Sequence, residues 1–223
     1  MNVEGYYQPK VKPGLGVVAY EALIRSKDCY NTEEFVLKQK NKERFDITVV
    51  NFFSSLLNFN NIKLCTAINI FSNSFYTEDF IRSCERNIKK CRFSLEVTEY
   101  EPIVDLAQAR EAMLHLSTLG IEFSLDDFGK GYSNLRTLKE LPFQELKLDR
   151  TLVNQAMSCR KTRESMRVLK SIAIDSGIER IVYEGIENKG MENMILDFDS
   201  TAILQGYFYA MPRPISDLVE IYN

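Results

Sequence analysis

Histidine is nearly missing from this chain: its 223 residues include only His115, which sits in a helical stretch. A histidine base and a histidine-rich metal site are therefore both excluded as the basis of its chemistry. The five cysteines, Cys29, Cys65, Cys84, Cys91 and Cys159, are scattered and form no C-x-x-C pair. They read as reduced thiols of a cytoplasmic protein and not as a zinc site. No run of eighteen or more apolar residues exists to form a transmembrane helix. The opening stretch, MNVEGYYQPKVKPG, lacks the apolar core of a secretory signal. A formal net charge of -3 argues against a generally basic nucleic-acid binder, so no DNA or RNA duplex is expected as a partner. Gly129-x-Gly131 has no third glycine at the spacing of a dinucleotide-binding fingerprint. Neither a linker, a low-complexity tract nor an internal repeat interrupts the chain, so residues 1–223 are expected to form one domain.

What is present is alternation. Tyr6 to Val11 reads as a strand interrupted by Pro9. Lys12-Pro13-Gly14 reads as a turn, and Leu15 to Ile24 as a returning strand, so a hairpin is expected at the start. Helices are predicted from a Thr32 cap, over Phe45–Phe59, over Ser74–Lys89, and from Pro102 to Leu119, where Gly120 ends the helix. Further helices are predicted near Ser133–Glu140, as one long element over Thr151–Ser176, near Lys189–Phe198, and last over Ser216–Tyr222. Between them lie the strand-like runs Ile62–Ile70, Arg92–Thr98, Ile121–Leu125, Glu145–Leu148, Glu179–Tyr183 and Ala202–Gln205. Such repeated βα alternation is the pattern of a closed (β/α) barrel, with a doubly wound open sheet as the other solution.

The strand ends carry the chemistry. In the stretch FSLDDFGKGYSNL, the run Ile121 to Leu125 closes in two adjacent carboxylates, Asp126 and Asp127. Aspartate is a poor strand residue, so the pair carries a cost that folding alone does not explain. Successive strand side chains point to opposite faces. At a strand end the pleat relaxes, and both carboxylates can aim at one ion cluster. The same ending recurs: Tyr20 runs into Glu21, Ile68 into Asn69, Leu95 into Glu96, Leu148 into Asp149, and Tyr183 into Glu184. In a parallel barrel those ends converge on one face, where active sites sit. Lys147 alternates with apolar Leu146 and Leu148. It is expected to face the lumen, where a lysine needs carboxylate partners.

Glu21-Ala22-Leu23, the LEVTE ending at Glu99, DDFGKGYS, Lys147-Leu148-Asp149, the YEGIE from Tyr183 to Glu187, and Gln205-Gly206-Tyr207 follow one another at domain-sized spacing. Together they resemble the EAL-domain family, which hydrolyses cyclic di-GMP. The resemblance covers nearly the whole chain. It implies a TIM-like (β/α)8 barrel with an antiparallel first strand, which matches the opening hairpin. It further implies that Glu21, Asn69, Glu96 and Asp126 hold one divalent ion, and that Asp126, Asp127 and Glu184 hold a second. Lys147 matches the lysine at the attacking water and the phosphate, and Arg25 an arginine at the substrate phosphate. Gln8 and Asp149 match residues near a guanine base, and Glu99 and Glu187 glutamates that buttress the metal shell and the loop after Asp127.

That assignment is chemically coherent. An anionic phosphodiester would be repelled by so many carboxylates without cations between them. Oxygen ligands with one amide suit Mg²⁺ or Mn²⁺ over zinc, and Ca²⁺ is expected to occupy the same ligands and inhibit. Two ions about 4 Å apart can assist both the attacking and the leaving oxygen of an in-line displacement, which makes a histidine base unnecessary. Two readings stay open: a phosphodiesterase giving linear pGpG, and a catalytically inactive module of the same fold that binds cyclic di-GMP or a protein partner. The complete set of Glu21, Asn69, Glu96, Asp126, Asp127, Lys147 and Glu184 favours the enzyme. The chain departs from the family at Lys130, Asn134, Phe71, Tyr183 and Met191. Tyr183 is expected to point outward against a helix. A homodimer through the segment Ser133–Glu140 is a further implication.

Overall fold

A computed structural model describes residues 2–29, 31–128 and 135–217. The chain opens with the hairpin expected from its turn signal. Strands β1 (Val3–Lys12) and β2 (Gly16–Ser26) pair antiparallel from Val3↔Ser26 to Lys12↔Gly16. The reversal is closed by the Leu15 N–H donating to the Lys12 carbonyl at 2.9 Å. Gly14 and Gly16 take φ values of 85° and 84°, a region that costs glycine nothing and other residues dearly. Pro9 does not interrupt β1; a bulge falls one step later, between Lys10 and Val11.

Helices α1 (Thr32–Leu37) and α2 (Lys42–Phe59) follow. The cap of α1 is Asn31 and not Thr32, because the Asn31 side chain accepts from the Glu34 N–H and leaves Thr32 in the first turn. Next come β3 (Thr66–Ile70), α3 (Glu78–Asn87), β4 (Phe93–Val97), α4 (Leu106–Thr118) and β5 (Phe123–Phe128). Two of these helices begin later than predicted. Turns at Phe71–Ser74 and Ser74–Thr77 delay α3. Asp105 caps α4 by accepting from the Gln108 N–H, which leaves Pro102 outside the helix.

The rest of the chain is α5 (Leu135–Glu140), β6 (Glu145–Leu148), α6 (Arg150–Ser158), α7 (Arg160–Asp175), β7 (Arg180–Tyr183), α8 (Lys189–Leu196), β8 (Ile203–Leu204) and β9 (Arg213–Pro214). The single long helix expected over Thr151–Ser176 is two helices, broken at Cys159, whose backbone is extended at φ −117°, ψ 109°. The break falls in the stretch between Met157 and Met166, which has no large apolar residue to hold the two helices in line, although Arg160–Ser165 remain helical in α7. Arg163 instead donates to the carbonyls of Ala156 and Met157 and caps α6. Residues 129–134, with Lys130, Ser133 and Asn134, and most of the last predicted helix lie outside the described residues.

Strands β2 to β8 pair parallel in sequence order. Then β8 meets β1 antiparallel at Val11↔Leu204, which closes the ring, and β9 extends the seam at Tyr6 and Tyr7. The result is the (β/α) barrel with an antiparallel first strand that the sequence implied. One buried apolar cluster, including Phe53, Ile68, Phe80, Leu95, Met113 and Leu146, fills the space between barrel and helices. Burial of this surface drives the helices onto the barrel and leaves the strand ends to polar residues. Among the described residues no helix is long and apolar enough to cross a membrane.

Candidate active site

Glu21, Asn69, Glu96, Asp126 and Lys147 stand on β2 to β6, and Glu184 directly follows β7. The barrel gathers them around one ammonium group. Lys147 Nζ lies 2.8 Å from an oxygen of Asp126, 2.8 Å from Glu184, 2.9 Å from Glu96 and 3.3 Å from Glu21. Lys147 is 1% exposed, so its lumenal placement and its need for carboxylates are both met. Asn69 Nδ2 donates to Glu21 Oε1 at 2.8 Å, and Gln205 Nε2 donates to Glu21 Oε2 at 2.6 Å.

Asp126 and Asp127 reach one side of the strand through a local irregularity. Leu125 pairs with Leu146 and Phe128 with Leu148, so the register slips across the two aspartates. Asp127 takes φ 50°, the left-handed region that aspartate tolerates better than most residues. This undoes the strict alternation of the strand. One carboxylate oxygen each from Asp126, Asp127 and Glu184 lies within 4.8 Å of the others, close enough to share one cation.

The electrostatics are those of a crowded acid site. Burial, together with the carboxylates of Asp126 and Glu21, pushes Glu184 up to about 8 despite Lys147. Burial raises Glu96 to about 7 against the pull of Lys10 and Lys147. Asp126 is raised by burial and by the neighbouring Asp127 and Glu21. For Glu21, burial is outweighed by the Lys147 ammonium and the Asn69 and Gln205 donors, which bring it to about 2. Lys147 itself is held charged by four carboxylates that overcome its burial. The protein's own cations thus leave part of the carboxylate cluster uncompensated. The donor atoms are carboxylate and amide oxygens, and this set fits hard divalent cations.

Two cavities flank the cluster and share Glu21. One, of about 240 Å³, is lined by apolar Ala22, Ile24, Phe45, Phe71 and Tyr100 and also by Asn69, Asp126 and Arg25. The Arg25 guanidinium lies 5.8 Å over the Tyr6 ring and donates to the Ile24 carbonyl. The other, of about 290 Å³, is polar and brings together Gln8, Asp127, Asp149, Glu184, Glu187 and Gln205. Gln8 stands opposite Glu21 in the β1–β2 register and accepts from Gln205 at 3.2 Å. Asp149 caps α6 by accepting from the Thr151 N–H. Gly206 follows Gln205 because a Cβ there would lie 2.2 Å from the Ile186 carbonyl oxygen. Glu99 lies apart from both cavities, buried beside a small cleft with Thr98 and Leu125.

Tyr183 stays out of the site as expected. Its hydroxyl donates to Asp199 at 2.9 Å, and its ring meets Phe198 edge-on. Sequence reasoning missed Lys10 and Glu145. Lys10 is 1% exposed and donates to Glu96 and Glu145, each at 2.5 Å. The available signal was period-two spacing: Lys10 shares a face with Gln8, and Glu145 shares one with Lys147.

The EAL domain family model matches residues 2–212. Among curated relatives, the cyclic di-GMP phosphodiesterase RocR of Pseudomonas aeruginosa is 29% identical over 227 residues, covering 95% of this chain and 57% of RocR. The chain spans 19% and 20% of the length of two other curated relatives that it matches. The EAL domain protein of Listeria monocytogenes EGD-e has the same fold, with a TM-score of 0.86 at 22% identity, covering 99% of this chain and 92% of its own. The calcium/cyclic di-GMP complex of BlrP1 from Klebsiella pneumoniae gives a TM-score of 0.82 at 25% identity, covering 96% of this chain and 56% of its own. With the family model matching residues 2–212 and the strand-end residues gathered at one mouth, the chain belongs to the EAL domain family.

Proposed function

We propose that this chain is a metal-dependent phosphodiesterase that hydrolyses cyclic di-GMP to linear pGpG with two divalent ions, Mg²⁺ or Mn²⁺, in the cytoplasm. The observation that carries this reading is the convergence of Glu21, Glu96, Asp126 and Glu184 on Lys147, with Asp127 beside Asp126 and Glu184. A site that took no cations would gain nothing from packing so many carboxylates at one barrel mouth. Their mutual repulsion is unfavourable until cations bind. The names of RocR and of the BlrP1 complex support cyclic di-GMP as the substrate class.

Glu21, Asn69, Glu96 and Asp126 would hold one ion, and Asp126, Asp127 and Glu184 the other. The bound ions supply Lewis acidity at the phosphate and activation of water. The chain's own residues supply the rest. Lys147 places a point charge where negative charge builds on phosphate oxygens. Asn69 and Gln205 fix the two oxygens of Glu21 and so its orientation. Two cavities meeting at Glu21 suit a substrate with two similar halves around a central phosphate ring. Arg25 is positioned along the first for a phosphate oxygen, and Gln8 and Asp149 face the second, where a guanine edge offers donors and acceptors. Glu99 and Glu187 support the strand ends and the loop after Asp127.

The test is incubation of the purified protein with cyclic di-GMP and Mg²⁺ or Mn²⁺, with products separated by chromatography. The expected product is the linear dinucleotide. Tight binding of intact substrate with no cleavage in either ion would overturn the enzymatic reading in favour of a binding module.

A further inference from the structure

Beneath the carboxylate ring lies a second lysine that no part of the proposed reaction uses. Lys10 projects into the barrel from the antiparallel strand β1, two residues beyond Gln8 on the same face. It is 1% exposed, and Glu96 is 0% exposed. Glu96 bridges two ammonium groups: Oε1 accepts from Lys10 at 2.5 Å and Oε2 accepts from Lys147 at 2.9 Å. Lys10 is anchored from below by Glu145 Oε1. The other oxygen of Glu145 meets Arg180 at 3.4 Å, and Arg180 reaches Glu122 near the barrel's lower rim.

We propose that Lys10 is a positioning residue for the divalent-cation site, holding one oxygen of Glu96 so that the other stays presented to the mouth of the barrel. The proposal rests on the cation-site reading above and adds a residue to it.

Two effects of Lys10 oppose each other. Its charge repels a divalent ion, which would make its loss favourable to cation binding. Its hydrogen bond orients a carboxylate that has no access to water. The second effect wins because it acts at contact distance on a ligand atom's own carboxyl group, whereas the repulsion acts across the length of that group. A buried carboxylate stripped of one of its two cationic partners is strongly unfavourable. Without Lys10, Oε1 has no fixed partner, and the carboxyl group loses the orientation that two ammonium groups give it. Lys147 cannot replace Lys10, since four carboxylates share it.

The experiment compares Mn²⁺ affinity, measured by calorimetry and by the electron paramagnetic resonance of free Mn²⁺, with melting temperature in the absence of metal. The proteins are the wild type, Glu145→Gln, Lys10→Met and Lys10→Met/Glu145→Gln. Glu145→Gln keeps the Lys10–Glu96 bond and should bind Mn²⁺ like the wild type. Lys10→Met should weaken Mn²⁺ binding tenfold or more. The double variant also removes the carboxylate that Lys10→Met would orphan below, so it tests the same point in a barrel relieved of that charge. It should recover melting temperature but not affinity. Wild-type Mn²⁺ affinity in the double variant, or tighter binding in either Lys10 variant, would make Lys10 a purely structural residue and overturn the proposal. Absence of Mn²⁺ binding by the wild type would overturn the cation-site reading and this proposal with it.

Discussion

Asp126 and Asp127 are consecutive in a strand, yet each offers an oxygen to the same cluster with Glu184. Ordinary alternation would send one of them to the helix side. The register slip between Leu125 and Phe128, and the left-handed backbone of Asp127, turn both toward the mouth.

This geometry separates two substitutions at Asp127. Asparagine tolerates the left-handed backbone and removes only the charge. Asp127→Asn is expected to lose nearly all hydrolysis and to melt, without metal, at or above the wild-type temperature. Asp127→Ala adds the cost of an L-residue at φ 50°, roughly 1–2 kcal/mol, and should melt lower. Calorimetry together with a product assay checks both. Wild-type turnover in Asp127→Asn would sink the two-ion assignment.

Among the described residues Arg25 makes no ion pair with a carboxylate; it rests over Tyr6 and on its own strand carbonyl. A planar guanidinium can hold a phosphate through two parallel hydrogen bonds, which lysine cannot imitate. Arg25→Ala and Arg25→Lys should both raise the dissociation constant for cyclic di-GMP, by about tenfold, with a smaller change in kcat. A titration showing unchanged affinity in Arg25→Ala would place the phosphate elsewhere.

Calcium should separate binding from cleavage. Its bonds to oxygen run about 2.3–2.6 Å against about 2.0–2.1 Å for Mg²⁺, with looser coordination. It can therefore gather the carboxylates and let the anion dock without equivalent activation. Binding titrations in Ca²⁺ should give intact complex, product assays in Ca²⁺ should give none, and Mg²⁺ should restore cleavage competitively. Comparable hydrolysis in calcium alone would refute the mechanism.

Asp46 gives stability a pH dependence of its own. It is buried on α2, accepts from the Phe71 N–H, and is pushed up from 3.8 to about 7, chiefly by burial. The unfolded carboxyl releases its proton first as pH rises, so between pH 4 and 7 the unfolded state binds fewer protons than the folded one. Stability conferred by the protonated form is complete below pH 4, falls through this window and then levels off. Asp46→Asn keeps an acceptor for Phe71 and has no such titration. Its stability relative to the wild type should improve between pH 5 and pH 8 by on the order of 2 kcal/mol. Urea denaturation at the two pH values measures this, and an equal difference at both would show that Asp46 ionises normally.

Elements with a strong local signature were readable from the sequence. The hairpin turn, the strand-ending carboxylates and the inward Lys147 each follow from a few adjacent residues. The cluster around Lys147 was reached through motif order and strand alternation together. What escaped was set by partners far along the chain. Lys10 finds Glu96 86 residues away and Glu145 135 away, and nothing near Pro9 announces them. The break at Cys159 escaped because helical propensity runs through it, while the deciding contacts are those of Arg163 with the end of α6. The same applies to Phe71, whose seat depends on Asp46, Phe45 and Tyr100 from other elements.

The antiparallel seam has a consequence in time. β1 is bordered on one side by β2, its immediate successor, and on the other by β8 and β9, the last strands described. Gln8 and Gln205, which meet at the mouth, are 197 residues apart. At 5–20 residues per second, a ribosome needs roughly 10 to 40 s to make the second after the first. During that interval β1 carries Lys10 and Gln8 on a strand with one edge unpaired. The acids of β2 to β7 can be gathered only loosely until β8 arrives. The nascent chain therefore has no half-built mouth: the seam closes only when β8 and β9 arrive, and the exposed edge of β1 is the surface that has to be shielded until then.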